Sequence, residues 1–375
     1  MKKTLGFLRD QGATHVLGVV RVGLGVLLFW EGLEDAQELM ARGYFGDHFH
    51  WPYLPEAWVP SRSVYVAILA LQLLAAALVT VGHLARPALF FAGSSLAYLL
   101  ACDRLHYHHH VYALACYALL LAFSPCERSF AITSDGGDDG AMGPLWAIRL
   151  AQLQVSIVYL ASGGSKLFDA DWRDGLVLLD RLVRYGDQAV AKGVPQRVVA
   201  FFQQTGTASA LAKLTIATEL FLAVGLWLPR TRVAALFVGV WFHLAIEVTS
   251  KVGYFSWLTI LVYALFATHD VRARTFFFDP AHPRGALSAR AVRALDWLGR
   301  FHVKAWEPDE LVRAHHVVVV RRDGTRATGL RALAMVARCT PLLFPFWGPL
   351  ALAASFTPPG VTKRGTKGGD ASARS

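Results

Sequence analysis

Charge is scarce in this sequence: Asp, Glu, Lys and Arg make up 17% of its 375 residues, against about 25% in a typical soluble domain. With hydrophobic residues at 54%, that shortage excludes an ordinary soluble fold and points to a bilayer as the solvent. Cysteine is nearly as scarce. The four residues Cys102, Cys116, Cys126 and Cys339 form neither a CxxC nor a zinc-ribbon spacing, which excludes a dithiol redox motif and a structural zinc site of that kind. Cys102 and Cys116 lie in or at the ends of apolar segments and read as small buried hydrophobes. GxSxG, P-loop and HExxH motifs are missing too. The nearest glycine pair to a dinucleotide fingerprint, Gly23-Leu24-Gly25, follows no strand and sits inside an apolar run. No internal repeat is visible.

What the chain has instead is long apolar stretches. Eight are read, over residues 16–30, 64–81, 87–101, 109–123, 146–162, 208–228, 233–248 and 254–267. A hydrocarbon core takes about 17–25 residues of helix, so the shorter segments leave seven or nine spans open. Met1-Lys2-Lys3 is basic, but no small-residue cleavage site follows residues 16–30; that stretch reads as a first transmembrane helix and not as a signal peptide. Lys2, Lys3 and Arg9 precede it and an acidic loop (Glu31, Glu34, Asp35, Glu38, Asp47, Glu56) follows. The turns at Arg86 and at Arg230 and Arg232 are short and basic. With eight spans these turns and both termini share one side, which the positive-inside rule makes cytoplasmic. The expected fold is an all-α, multi-pass cell-membrane protein, a bundle of about eight helices with a short basic cytoplasmic C-terminal region.

Three regions follow from this patterning: a membrane core over residues 12–270, a basic amphipathic and small α/β-like cytoplasmic region over 271–358, and a disordered Gly- and Lys-rich tail over 359–375. From His269 onward there are 17 Lys and Arg against 8 Asp and Glu. No nucleic-acid recognition motif accompanies that charge, so membrane lipid headgroups are the expected partner. Residues 286–305 read as a basic amphipathic helix, Val317–Val320 as a strand, and residues 329–338 as a helix. Residues 342–354 are apolar but broken by Pro345 and Pro349, and read as interfacial or re-entrant. Residues 43–60, rich in aromatics and histidine, read as an interfacial loop, and residues 134–143 as a flexible linker.

Several polar groups interrupt the apolar runs. Lys166 ends one of them, in Ser162-Gly163-Gly164-Ser165-Lys166-Leu167-Phe168-Asp169-Ala170-Asp171-Trp172. An amine there either snorkels to water, with Asp169 as an ion-pair partner, or is kept inside as a base. Gly163 and Gly164 allow close backbone approach and a change of direction. The cluster His106-Tyr107-His108-His109-His110 opens the fourth segment. Adjacent helical residues diverge by about 100°, so three neighbouring histidines cannot converge on one ligand. His106 and His110 can share a face, and a metal would need further ligands such as His243 or His50. An interfacial polar cluster and a single donor histidine are the other readings. His243 and Glu247 are spaced for a hydrogen-bonded pair. Arg21, between Val20 and Val22, calls for an acidic partner, for which Asp103 is the candidate.

Three of these segments together resemble the vitamin K-dependent gamma-carboxylase family and its bacterial relatives, the HTTM (horizontally transferred transmembrane) domain. Ile157-Val158-Tyr159, Lys166-Leu167 and Asp169-Ala170-Asp171-Trp172 are similar to the family's most specific signature, allowing one extra residue, Phe168. His108-His109-His110-Val111-Tyr112 is similar to an Asn-Asn-His-x-Tyr stretch, with two histidines where the family has asparagines. Phe242-His243, followed by Gly253-Tyr254-Phe255, is the third match. The resemblance implies a membrane core in a bacterial inner membrane that oxygenates reduced vitamin K or a related lipophilic quinol. It further implies that the strong base so made abstracts a carbon-bound proton, and that CO2 captures the carbanion in the carboxylases, a lyase chemistry. It implies Lys166 as base and His110 and His243 as hydrogen-bond partners or charge stabilisers, with no metal. Arg21, Asp103, Tyr112 and Trp172 become candidate quinone contacts. The carboxylases' large peptide-binding region has no counterpart in the basic tail, so the protein substrate is unknown. A non-catalytic membrane scaffold or lipid-binding protein, and a histidine-metal oxidase, are the alternative readings.

Overall fold

The computed structural model describes residues 10–42 (39–42 as backbone), 51–104, 107–132, 142–249, 252–267, 273–306 and 316–357. The chain divides into two compact units, residues 1–269 and 270–375. His50, His106, most of residues 134–143 and the tail beyond residue 357 lie outside the described residues.

In the first unit a short antiparallel pair, β1 (Gln11–Ala13) with β2 (Met142–Pro144), ties the start of the chain to the middle. The helices are α1 (His15–Arg42), α2 (Arg62–Val81), α3 (Ala85–Cys102), α4 (His109–Ala122), α5 (Trp146–Phe168), α6 (Ala170–Arg173), α7 (Leu176–Ala191), α8 (Gln196–Phe202), α9 (Thr205–Gly225), α10 (Arg232–Thr249) and α11 (Phe255–Tyr263). All eight apolar segments are helical. Five helices (α1 over His15–Glu38, α2, α3, α9 and α10) are long and apolar enough to cross a bilayer. Helix α4 and the stretch Phe255–Ala267 are apolar but shorter.

Helix α5 is long enough to span but carries Arg149, Gln152, Gln154 and Lys166. Its exposed Leu150, Leu153, Ile157 and Leu160 recur every three or four residues on one face, as a lipid-facing stripe does. The opposite face buries Ala151, Val155, Tyr159 and Gly163. Tyr159 and Gly163 thus face the interior of the unit.

Helix α5 runs unbroken through Gly163 and Gly164 to Phe168, so the chain turns at Asp169 and not at the glycines. The stretch after Lys166 is helical: α6, α7 and α8 occupy it, and in α7 Leu182, Gly186 and Ala189 supply a buried apolar stripe among charges. Arg21 is not paired with Asp103. It is fully buried and donates to five main-chain carbonyls, those of Val79 (2.6 Å), Thr80, Cys126, Ser129 and Phe130. A planar guanidinium with five donors can satisfy carbonyls left over where α2 and the segment after α4 end. Asp103 is buried elsewhere and accepts from the Trp51 amide at 3.4 Å.

The second unit is not all-α. A four-stranded sheet runs in the order β4 (Phe301–Ala305), β3 (Arg274–Phe278), β5 (Val317–Val320), β6 (Arg326–Ala327), with β3 parallel to β4 and the other pairs antiparallel. The expected helix over 286–305 is α12 (Pro283–Leu295) followed by β4. Asp296 ends the helix and accepts from the Arg300 and Phe301 amides, which redirects the chain into the sheet. Helix α13 (Gly329–Cys339) and α14 (Trp347–Ser355) follow, joined by a 3-10 turn over Pro341–Phe346. Phe276, Phe278, Val292, Phe301, Val319, Met335 and Val336 belong to a core of its own.

Candidate active site

Lys166 lies in the last turn of α5 and points at α9. Its Nζ donates to both oxygens of Glu219 at 2.6 and 2.7 Å and to Ser162 Oγ at 2.7 Å. The Lys166 side chain is 15% exposed and that of Glu219 8%. An ammonium has three donors, and here all three are used inside the protein. The Lys166 amine also lies 5.0 Å from the Trp172 ring centroid, and the Arg181 guanidinium lies 5.3 Å from that ring centroid.

Local sequence explains the arrangement. Ser162 and Lys166 are four apart and share a helix face. Gly163 lets α9 come close: a Cβ there would sit 3.1 Å from Leu220 Cδ2 and 3.2 Å from Glu219 Cβ. Gly164 faces open space. Asp169, the sequence candidate for the ion-pair partner, instead caps α6 by accepting from the Asp171 and Trp172 amides. That cap aims Trp172 back at Lys166.

Two turns further along the same face of α5, Tyr159 is buried and its hydroxyl meets His243 Nε2 at 2.6 Å. The same hydroxyl meets the Tyr263 hydroxyl. Gly239, one turn before His243 on α10, leaves the space that the Tyr263 ring occupies. The expected His243–Glu247 pair is therefore replaced by His243–Tyr159, because α10 turns His243 towards α5. His243 Nδ1 is buried without a hydrogen-bond partner among the described residues.

His110, the second residue of α4, packs edge-on against Tyr254, with ring centroids 4.8 Å apart. Gly253, at φ +58°, brings the backbone to His110: a Cβ there would lie 3.1 Å from Nε2. Phe255, two residues after Gly253, meets the His243 ring at 5.7 Å between centroids. The second and third matching segments thus meet each other, and the third reaches the Tyr159 group. Tyr254 is also buried against Trp30 and beside Glu31. Tyr112 is exposed and rests on Tyr107, and Arg21 and Asp103 bond elsewhere. These three are not brought to Lys166; Trp172 is. Among the described residues no group of three His, Cys, Asp or Glu side chains gathers so as to hold a metal ion.

Glu219 and Tyr263 are the residues that reading the sequence missed. Glu219 carried a signal, since it is a carboxylate inside the apolar segment 208–228. Tyr263 carried none, because a tyrosine near the end of an apolar run is common at interfaces.

The HTTM domain's sequence profile matches residues 11–270, the whole first unit except its first ten residues. The chain belongs to the HTTM domain family. It is thus a multi-pass membrane protein of the family related to the vitamin K-dependent carboxylases. No curated protein and no solved structure matches the chain.

Proposed function

We propose that this HTTM protein is a membrane enzyme that uses a reduced vitamin K-like quinol, with Lys166 and Glu219 acting together on one proton. The observation that carries this reading is the enclosure of the Lys166 amine by Glu219 and Ser162 on the inner face of α5, in line with Tyr159 and His243. The donor set fits a quinol. It offers an amine, a hydroxyl, the flat Trp172 indole, and a buried imidazole whose Nδ1 has no hydrogen-bond partner among the described residues. Bound there, the cofactor would supply the oxygen chemistry that turns a weak base into one able to remove a carbon-bound proton.

The protein's own part is proton handling and shielding. At rest the Lys166 ammonium and the Glu219 carboxylate form a desolvated pair. Transfer of one proton from Nζ to a Glu219 oxygen along this hydrogen bond leaves an amine and a carboxylic acid. The amine then has a lone pair with which to accept one incoming proton. Ser162 Oγ keeps Nζ in place through the transfer. Tyr159, held by His243 and Tyr263, presents a fixed hydroxyl two turns away, and His110 with Tyr254 walls the other side of α11. We assign the acceptor step to proton abstraction from, or carboxylation of, a second substrate. We place both termini on the cytoplasmic side of the cell membrane.

One observation favours a second reading, a non-catalytic scaffold: all three Lys166 donors are satisfied, as in an ion pair that simply staples α5 to α9. Purified full-length protein in lipid nanodiscs, given reduced vitamin K and oxygen, separates the two. The enzyme reading expects quinone epoxide that Lys166→Ala abolishes. Epoxide that persists in Lys166→Ala removes that residue from the chemistry. No epoxide from the intact protein supports the staple.

A further inference from the structure

The last described segment of the second unit is an apolar arm that its own core does not use. From Pro341 to Thr357 there is no Asp, Glu, Lys, Arg or His. The arm folds as the 3-10 turn and α14 alongside α13, and α14 buries only Ala354. Of the arm, only Leu343 packs against the unit's core cluster. Phe346, Pro349, Leu352 and Phe356 follow at intervals of three or four residues and all are exposed, Leu352 by 64% and Phe356 by 82%. Contiguous apolar surface of this kind on a folded unit marks a binding face.

Arginines of α13 hold the start of α14 and the residues just after its end. Arg338 lies over the Trp347 ring at 5.7 Å, and Arg331 donates to the Thr357 carbonyl at 2.9 Å. Cationic side chains thus border the apolar face, within a unit of 17 Lys and Arg against 8 Asp and Glu. An apolar face with a guanidinium at either end suits the boundary between acyl chains and anionic headgroups. The chain is already in the bilayer through its first unit, and the second unit follows it directly in sequence.

We infer that the face of Phe346, Leu352 and Phe356 is a monotopic membrane-docking surface, with acyl chains as its apolar partner and anionic phosphates taken by Arg331 and Arg338. The inserted side chains lie flat in one leaflet, since α14 has nine residues and cannot span.

Photocrosslinking in the full-length protein tests this. p-Benzoylphenylalanine replaces Phe346 or Phe356 in separate proteins, both at exposed positions that leave the core untouched. Phe90, on the exposed surface of α3, is the control for lipid contact. Proteins are placed in nanodiscs of phosphatidylcholine with or without phosphatidylglycerol, irradiated and analysed by mass spectrometry. The inference expects phospholipid adducts at Phe346 and Phe356 as well as at Phe90. With phosphatidylglycerol present, yield at the two arm positions should be several-fold higher, and Arg331→Gln with Arg338→Gln should remove that gain. Adducts to protein, whether to the same chain or a second copy, would overturn it. So would the absence of lipid adducts at both arm positions while Phe90 gives them.

Discussion

Gly163 touches Glu219: a Cβ added to the glycine would lie 3.2 Å from the Glu219 Cβ. This contact sets the distance between α5 and α9 and so presents the carboxylate to Lys166. Gly163→Ala should push the helices apart, costing about 1–3 kcal/mol and lengthening the Lys166–Glu219 bonds. Gly164→Ala meets nothing within 4 Å and replaces the poorer helix former, so it should be neutral or stabilising by up to about 1 kcal/mol. Thermal melts of the two variants in detergent should differ in sign. Equal melting temperatures would refute the close-packing role.

The two glycines show how far the sequence could be read. Their presence beside Lys166 was legible, but a linear motif does not say which of two neighbours faces a partner helix; helical phase decides that. The apolar runs gave the helices because a hydrocarbon-length run leaves its backbone few alternatives. Lys166, His110 and His243 were legible as polar groups in the wrong solvent. Their partners were not, since Glu219 lies 53 residues from Lys166 and only packing joins them. Asp169 is nearer in sequence and satisfies local amides instead. The helix–strand switch at Asp296 was hidden for a related reason: Leu298 and Phe301 continue an apolar pattern that serves a helix or a strand equally.

Arg21 holds the end of α2 and the segment after α4 through five carbonyls. Arg21→Gln would leave several of them buried without a donor, at about 1–3 kcal/mol each. The expected outcome is loss of folded protein by size-exclusion chromatography. Arg21→Lys should rescue only in part, because an ammonium has three donors and no planar fork. A stable Arg21→Gln protein would show that the carbonyls find other donors.

Tyr159→Phe removes the hydroxyl shared by His243 and Tyr263 while keeping the ring. If this group orients the reacting molecule, epoxide formation should fall by about 10²–10⁴ with little change in melting temperature. A large drop in stability with unchanged turnover would make the group purely structural.

Cys339, in the second unit, is buried, and burial pushes its thiol above the usual range. A neutral, enclosed thiol is a poor nucleophile. Maleimide labelling of the folded protein at neutral pH should spare Cys339 and reach it only after denaturation. Fast labelling in the native state would contradict this, and would reopen a redox role for this unit.

The central claim is that Lys166 accepts a proton with Glu219 as its relay. The direct measurement is the initial rate of quinone epoxide formation by Lys166→Ala and Glu219→Gln, each shown to be folded by its size-exclusion profile. The account predicts no epoxide above background from Lys166→Ala and a rate lowered by about 10²–10⁴ in Glu219→Gln. Epoxide formed at the unsubstituted rate by folded Lys166→Ala protein would contradict it.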